Sequence, residues 1–159
     1  MDDATAAYVA AQGNYVVPTM VVIFALVELG KKLGFPAQSQ RKVEEVYDHA
    51  LTGLDAMRRA GVKLGFGTDL LGALHPQQCR EFTIRREVFS PLEILRQATS
   101  ISAELMMMQG QLGCVAPGAF ADLIVVNGDP LADISLLAAD GRELSVIMRG
   151  GQFVKNLLA

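Results

Sequence analysis

Two residue types in this chain invite a chemical reading, a carboxylate at the end of an apolar run and a histidine close behind it. Val62 through Phe66 is apolar but for Lys63 and is followed at once by Gly67, Thr68 and Asp69. A run of that length has the character of a strand buried on both faces. Asp69 then stands at the strand's C-terminal mouth, where open α/β sheets and (β/α)₈ barrels place their ligand and catalytic groups. Gly65, Gly67 and Gly72 let other backbone or a ligand come close there. Spacing alone leaves a second reading open, an aspartate that caps a helix after a core strand. His75 follows in the loop, where it either contacts substrate or is merely solvated. The only other histidine, His49, reads as a structural or surface residue inside a long helix.

Stepping outward from Asp69, the 159 residues bound one domain, or one domain with a small appendage. A composition of 51% hydrophobic and 19% charged residues provides ample core and no sign of disorder. Mean hydropathy of +0.30 is high for this size and points to surface that expects a partner. A net charge of -3, no basic cluster and no Trp argue against nucleic acid. Cys79 and Cys114 have no CxxC spacing and read as reduced cysteines of a cytoplasmic protein. Met1-Asp2-Asp3 lacks the features of a signal peptide, and Tyr15 to Val27 is too short and too interrupted to span a membrane.

The elements expected to hold Asp69 come from hydrophobic period and punctuation. Asp3 to Gln12 reads as a helix, Asn14 to Met20 as a strand closing on Pro18, and Val22 to Lys32 as a second helix. Val43, Val46, Tyr47, Ala50, Leu54 and Met57 then mark one long amphipathic helix ending at Arg58, Arg59 and Gly61. With the strand at Val62, this is the alternation of a parallel sheet. Glu81 to Val88 reads as a charged helix whose Arg80, Arg85 and Arg86 form a solvated face in preference to a substrate contact. Ser90-Pro91-Leu92-Glu93 is a capping box with proline in the first turn, followed by a stripe of Leu92, Leu95 and Ala98. Ser102 caps a further helix, and Met106-Met107-Met108 fills core at its end. After Gly113 the pattern changes to short strands and turns: Leu123 to Val126, Leu144 to Met148, and Phe153-Val154 behind Gly150-Gly151.

The order of Gly67-Thr68-Asp69, Ser90-Pro91, Ala98-Thr99, Leu112-Gly113, Pro117-Gly118, Ala121-Asp122-Leu123, Asn127-Gly128-Asp129-Pro130-Leu131 and Met148-Arg149-Gly150-Gly151 resembles the C-terminal part of the amidohydrolase superfamily. It is most similar to the branch of prolidase-like and imidazolonepropionase-like metal-dependent hydrolases. The fold implied is α/β, the C-terminal portion of a (β/α)₈ TIM-like barrel followed by a small β-sandwich subdomain. Residues 1–112 then carry strands seven and eight with their helices, and residues 113–159 the sandwich strands. The resemblance implies that Asp69 contacts a divalent metal, zinc, and moves a proton from the attacking water to the leaving nitrogen. The substrate implied is a small amide or a dipeptide with proline, and His75 stands where it could contact it.

The departures from the family pattern matter as much. The His-x-His pair after the first strand, the lysine or carboxylate of the fourth and the histidines of the fifth and sixth have no counterpart here. A zinc site usually needs three protein ligands, so the isolated chain is expected to bind metal weakly or not at all. The chain reads as the C-terminal part of a catalytic unit, truncated or split, and an incomplete barrel leaves strand edges to cover. Homo-oligomerisation or an N-terminal half-barrel partner is the expected consequence. The alternative is a non-catalytic remnant or assembly module in which Asp69 only caps. A self-standing flavodoxin-like domain is a third reading, weakened by the lack of a phosphate-cradling glycine loop.

Overall fold

A computed structural model describes residues 1–158. Two short strands, β1 (Tyr15–Val16) and β2 (Lys63–Leu64), pair in parallel, Tyr15 beside Lys63 and Val16 beside Leu64. Four helices surround them in the first part of the chain: α1 (Asp3–Ala11), α2 (Met20–Leu29), α3 (Ala37–Asp48) and α4 (Ala50–Arg59). The strand and helix alternation expected from the sequence is therefore present, in an α/β fold. Buried Ala6, Val21, Ala25, Leu54, Met57 and Leu64 bring these elements into one core.

The strand after Gly61 is shorter and more one-sided than its apolar run suggests. Val62 and Leu64 are buried, whereas Lys63 is exposed and pairs with Glu104. The Gly65 amide still donates to the Val16 carbonyl at 2.9 Å. Beyond it the ladder ends, because side chains take the next backbone groups. The expected long helix is two helices, broken at His49, whose φ of -111° and ψ of 1° are not helical. His49 thus joins α3 to α4 instead of lying inside a helix. Of the residues that mark the hydrophobic period, Leu54 and Met57 of α4 are buried, whereas Val46 and Tyr47 of α3 are exposed.

A 3₁₀ turn (Gly72–Gln77) leads to α5 (Arg80–Arg85), then α6 (Pro91–Arg96), a π-helical turn (Gln97–Ile101) and α7 (Ser102–Leu105). Ser102 therefore begins no new capped helix; it continues one helical run past a π-bulge. The buried stripe there is Ile94 and Gln97, with Leu92 exposed, and Met106 and Met107 are exposed and fill no core. Arg85 is the larger correction: it is fully buried and is no part of a solvated face.

The tail forms an antiparallel sheet of β3 (Leu123–Val126), β4 (Leu144–Arg149) and β5 (Gln152–Asn156), in that order. Gly150 and Gly151, both at positive φ, make the two-residue turn between β4 and β5. The Asp122 carboxylate accepts from the Gly150 amide, and the Gly151 amide donates to the Ala121 carbonyl. Between β3 and β4, a 3₁₀ turn (Ile134–Ala138) plugs buried Ile134 and Leu137 into the main core against α5. No helix among the described residues is long and apolar enough to cross a membrane.

The capping box at α6 is formed as the sequence predicts, Ser90 accepting from the Glu93 amide and Glu93 accepting from the Ser90 amide and hydroxyl. The Ser90 hydroxyl, and then its amide, hold the Glu93 carboxyl below the usual carboxylate range. With the folded-state pKa lowered, this contribution is complete above the unfolded value of about 4.3 and is lost as pH falls through the folded value. Ser90→Ala is expected to cost about 1 kcal/mol at neutral pH, with a smaller deficit in acid. Urea unfolding at pH 7 and pH 3 measures both.

Candidate functional site

The parallel pairing of β1 and β2 puts their C-terminal ends side by side, so Val17-Pro18-Thr19 and Gly65-Phe66-Gly67-Thr68-Asp69 leave the sheet together. Asp69 lies at this edge with an exposed side chain and a left-handed backbone, φ 51°. Thr19, at the other tip, is left-handed too, with φ 33° and ψ 56°. A non-glycine residue in that region is held there by its surroundings, and such strain concentrates at functional sites. Two of the four non-glycine residues at positive φ among the described residues are thus at adjacent strand tips.

Asp69 caps nothing. The N-cap of the following 3₁₀ turn is Leu71, which makes no side-chain cap bond, and no hydrogen bond ties Asp69 to another described residue. Its carboxylate is left free toward solvent at the mouth. His75 lies exposed in the last part of that 3₁₀ turn, and no hydrogen bond joins it to Asp69. Leu70 and Leu74, both buried, anchor the loop between them.

Beneath the tips is a set of polar residues that sequence reasoning missed. Arg85 Nε donates to Glu81 Oε1 at 2.6 Å, and Arg85 Nη1 donates to the Gly65 carbonyl at 3.0 Å and to Gln97 Oε1 at 2.7 Å. Glu81 Oε2 accepts from the Val21 amide at 2.7 Å, in the first turn of α2. Glu81 thus does for α2 what its own N-cap residue, Thr19, does not. Burial pulls the Arg85 guanidinium below its ordinary pKa, and the Glu81 charge opposes that shift. The i, i+4 spacing of Glu81 and Arg85 was the available signal, but spacing cannot tell a surface pair from a buried one.

A metal centre is not complete here. Among the described residues, no three His, Cys, Asp or Glu side chains converge as a ligand set. The residues present offer one exposed carboxylate, and by themselves they do not fit a metal ion.

Gly65 and Gly67 are where the two tips touch. A Cβ on Gly67 would fall 2.7 Å from Val17 Cγ1 and 3.6 Å from Thr19 Cγ2, and one on Gly65 would fall 3.1 Å from Val17 Cγ2. Val17 is β-branched and stiff at χ1, so a contact this short moves either its side chain or the backbone at Gly67. Gly67→Ala is expected to cost about 1–3 kcal/mol and to displace the segment that carries Asp69. Thermal unfolding, together with amide shifts of residues 66–69, checks it.

Comparison with known proteins follows this geometry. The profile of the amidohydrolase family matches residues 2–153. The crystal structure of an amidohydrolase superposes with a TM-score of 0.97 at 45% identity, over 100% of this chain and 38% of that one. A prolidase crystallised with N-methylphosphonate-L-proline gives a TM-score of 0.94 at 44% identity, over 98% of this chain and 38% of that one. The ochratoxinase of Aspergillus niger is 26% identical over 143 residues, 89% of this chain and 29% of the relative. The chain therefore spans less than two fifths of the length of each of these relatives. Its sequence and fold place it among them: the chain belongs to the amidohydrolase family.

Proposed function

We propose that this chain is the C-terminal part of a metal-dependent hydrolase that cleaves a C–N amide or peptide-like bond. The observation that carries the reading is Asp69, an uncapped carboxylate on a left-handed backbone at the mouth of the parallel strands. In this reading residues 1–112 are the last two strands and helices of a (β/α)₈ barrel, and residues 113–159 are its share of a β-sandwich. The remaining strands come from chain outside this sequence, as an N-terminal half-barrel partner or through self-association. The likeness to a prolidase bound to a proline analogue favours a dipeptide or N-acyl amino acid as substrate.

The step assigned to this chain is proton transfer. Asp69 takes a proton from water as its oxygen bonds to the substrate carbonyl carbon, and returns it to the nitrogen as the C–N bond breaks. A divalent metal, zinc in this reading, would belong to the complete unit and would supply Lewis-acid activation of water and carbonyl there. Asp69 is the one contact this chain offers it. In this reading His75, exposed in the turn that follows Asp69, contacts the substrate. The second reading, an assembly module without catalysis, draws on the lack of a ligand set among the described residues.

The test is hydrolysis of Xaa-Pro dipeptides and N-acyl amino acids by the chain alone and by the chain joined to a family half-barrel that supplies the missing strands. Turnover is expected only in the completed unit. There Asp69→Asn should lower kcat by about 10²–10⁴-fold and His75→Ala should raise KM with little change in kcat. A completed unit whose rate is indifferent to Asp69→Asn overturns the catalytic reading.

A further inference from the structure

The buried pair beneath the strand tips has no role in the proton transfer, yet its bonds run to the backbone of both tips. Arg85 holds the Gly65 carbonyl, and Glu81, held by Arg85, accepts from the Val21 amide two residues past Thr19. The guanidinium also lies 4.7 Å from the centroid of the Phe66 ring. The same Nη1 that holds Gly65 also donates to Gln97, the first residue of the π-helical turn. That turn moves Ser102 into register to donate to the Gln97 carbonyl at 2.7 Å and to accept from the Phe66 amide at 3.1 Å. π-Bulges of this kind are frequent at functional sites.

Stability alone does not account for such a device. Buried ion pairs are commonly no better than apolar residues of the same volume, so retention of one asks for a geometric reason. Arg85 Nη2 is buried without an acceptor among the described residues, a cost that a purely stabilising pair would not carry. Two of the four left-handed non-glycine residues among the described residues, Thr19 and Asp69, flank the groups the pair holds.

We propose that Arg85 is a positioning residue, which with Glu81 fixes the β1 and β2 tips at one spacing and so sets the direction in which Asp69 is presented. This rests on the reading of Asp69 as the reactive carboxylate. Arg85 reaches no substrate; it acts through Gly65 and Phe66 on one side and through Glu81 and the start of α2 on the other.

Amide hydrogen exchange of the chain and its Arg85→Met and Arg85→Lys variants tests this. In Arg85→Met the amides of Val21, Gly65 and Phe66 should exchange at least about tenfold faster, while Leu54, Ala56 and Met57 in α4 keep their rates. Arg85→Lys, which keeps the charge but has one nitrogen in place of the Nε that holds Glu81 and the Nη1 that holds Gly65 and Gln97, should fall between. Acceleration that is equal at the tips and in α4 would make the pair a general stabiliser and overturn the proposal, as would unchanged tips. If Arg85→Met does not fold, Gln97→Met removes one anchor of the guanidinium and must give the same local pattern. The Asp69→Asn rate in the completed unit is read separately, so loss of the catalytic reading with tip loosening intact is distinguishable from the reverse.

Discussion

A guanidinium with no exposed surface and four oriented contacts is the constraint on which the geometry at the strand tips depends. Arg85 joins α5 to the π-helical turn, to the end of β2 and, through Glu81, to the start of α2. Only two residues of each parallel strand are paired, so the ladder alone is too short to set the tips. Side chains take over where it stops: the Gly65 carbonyl accepts from Arg85 and the Phe66 amide donates to Ser102. Placing a charge there is costly, and the cost is offset by bonds to an opposite charge, a backbone carbonyl and an amide oxygen.

The rest of the molecule supports that point from below and beside it. Leu54, Leu64, Ile84 and Ile94 pack as one core, and Ile134 and Leu137 from the tail enter it against α5. The tail sheet is consequently tied to the body by the connection between β3 and β4, while much of its own surface stays apolar and open at Ile124, Val125, Phe153 and Val154. This explains the high hydropathy of a chain of its size: part of its apolar surface is not consumed by its own core.

Much of the fold could be read from local rules, because those rules act over a few residues. The Ser90 capping box and the Gly150-Gly151 hairpin follow directly from sequence. The family motifs of the tail prove to be structural, Asp122 tying the Gly150 turn and Asp129 accepting from the Leu131 amide. What local pattern could not supply was depth. Arg85, Glu81 and Gln97 carry polar names and look solvated until their neighbours, 12 to 60 residues away, are known. His49 sits in an unbroken hydrophobic period yet ends a helix, since period reports which face is apolar and not where the axis stops. Met106 and Met107 were expected inside and lie outside, on a surface that one chain does not bury. At the site itself, Asp69 was legible from its place after an apolar strand, whereas the strain at Thr19 and the clamp beneath it were not.

On the proposed function, this chain carries one acid of a site whose other ligands lie elsewhere. Zinc titration with elemental analysis, on the chain held monomeric and beside Asp69→Asn, addresses it most directly. Neither protein is expected to retain stoichiometric zinc. One zinc held tightly by the monomer and lost on Asp69→Asn would contradict it, since the chain would then contain a complete centre of its own.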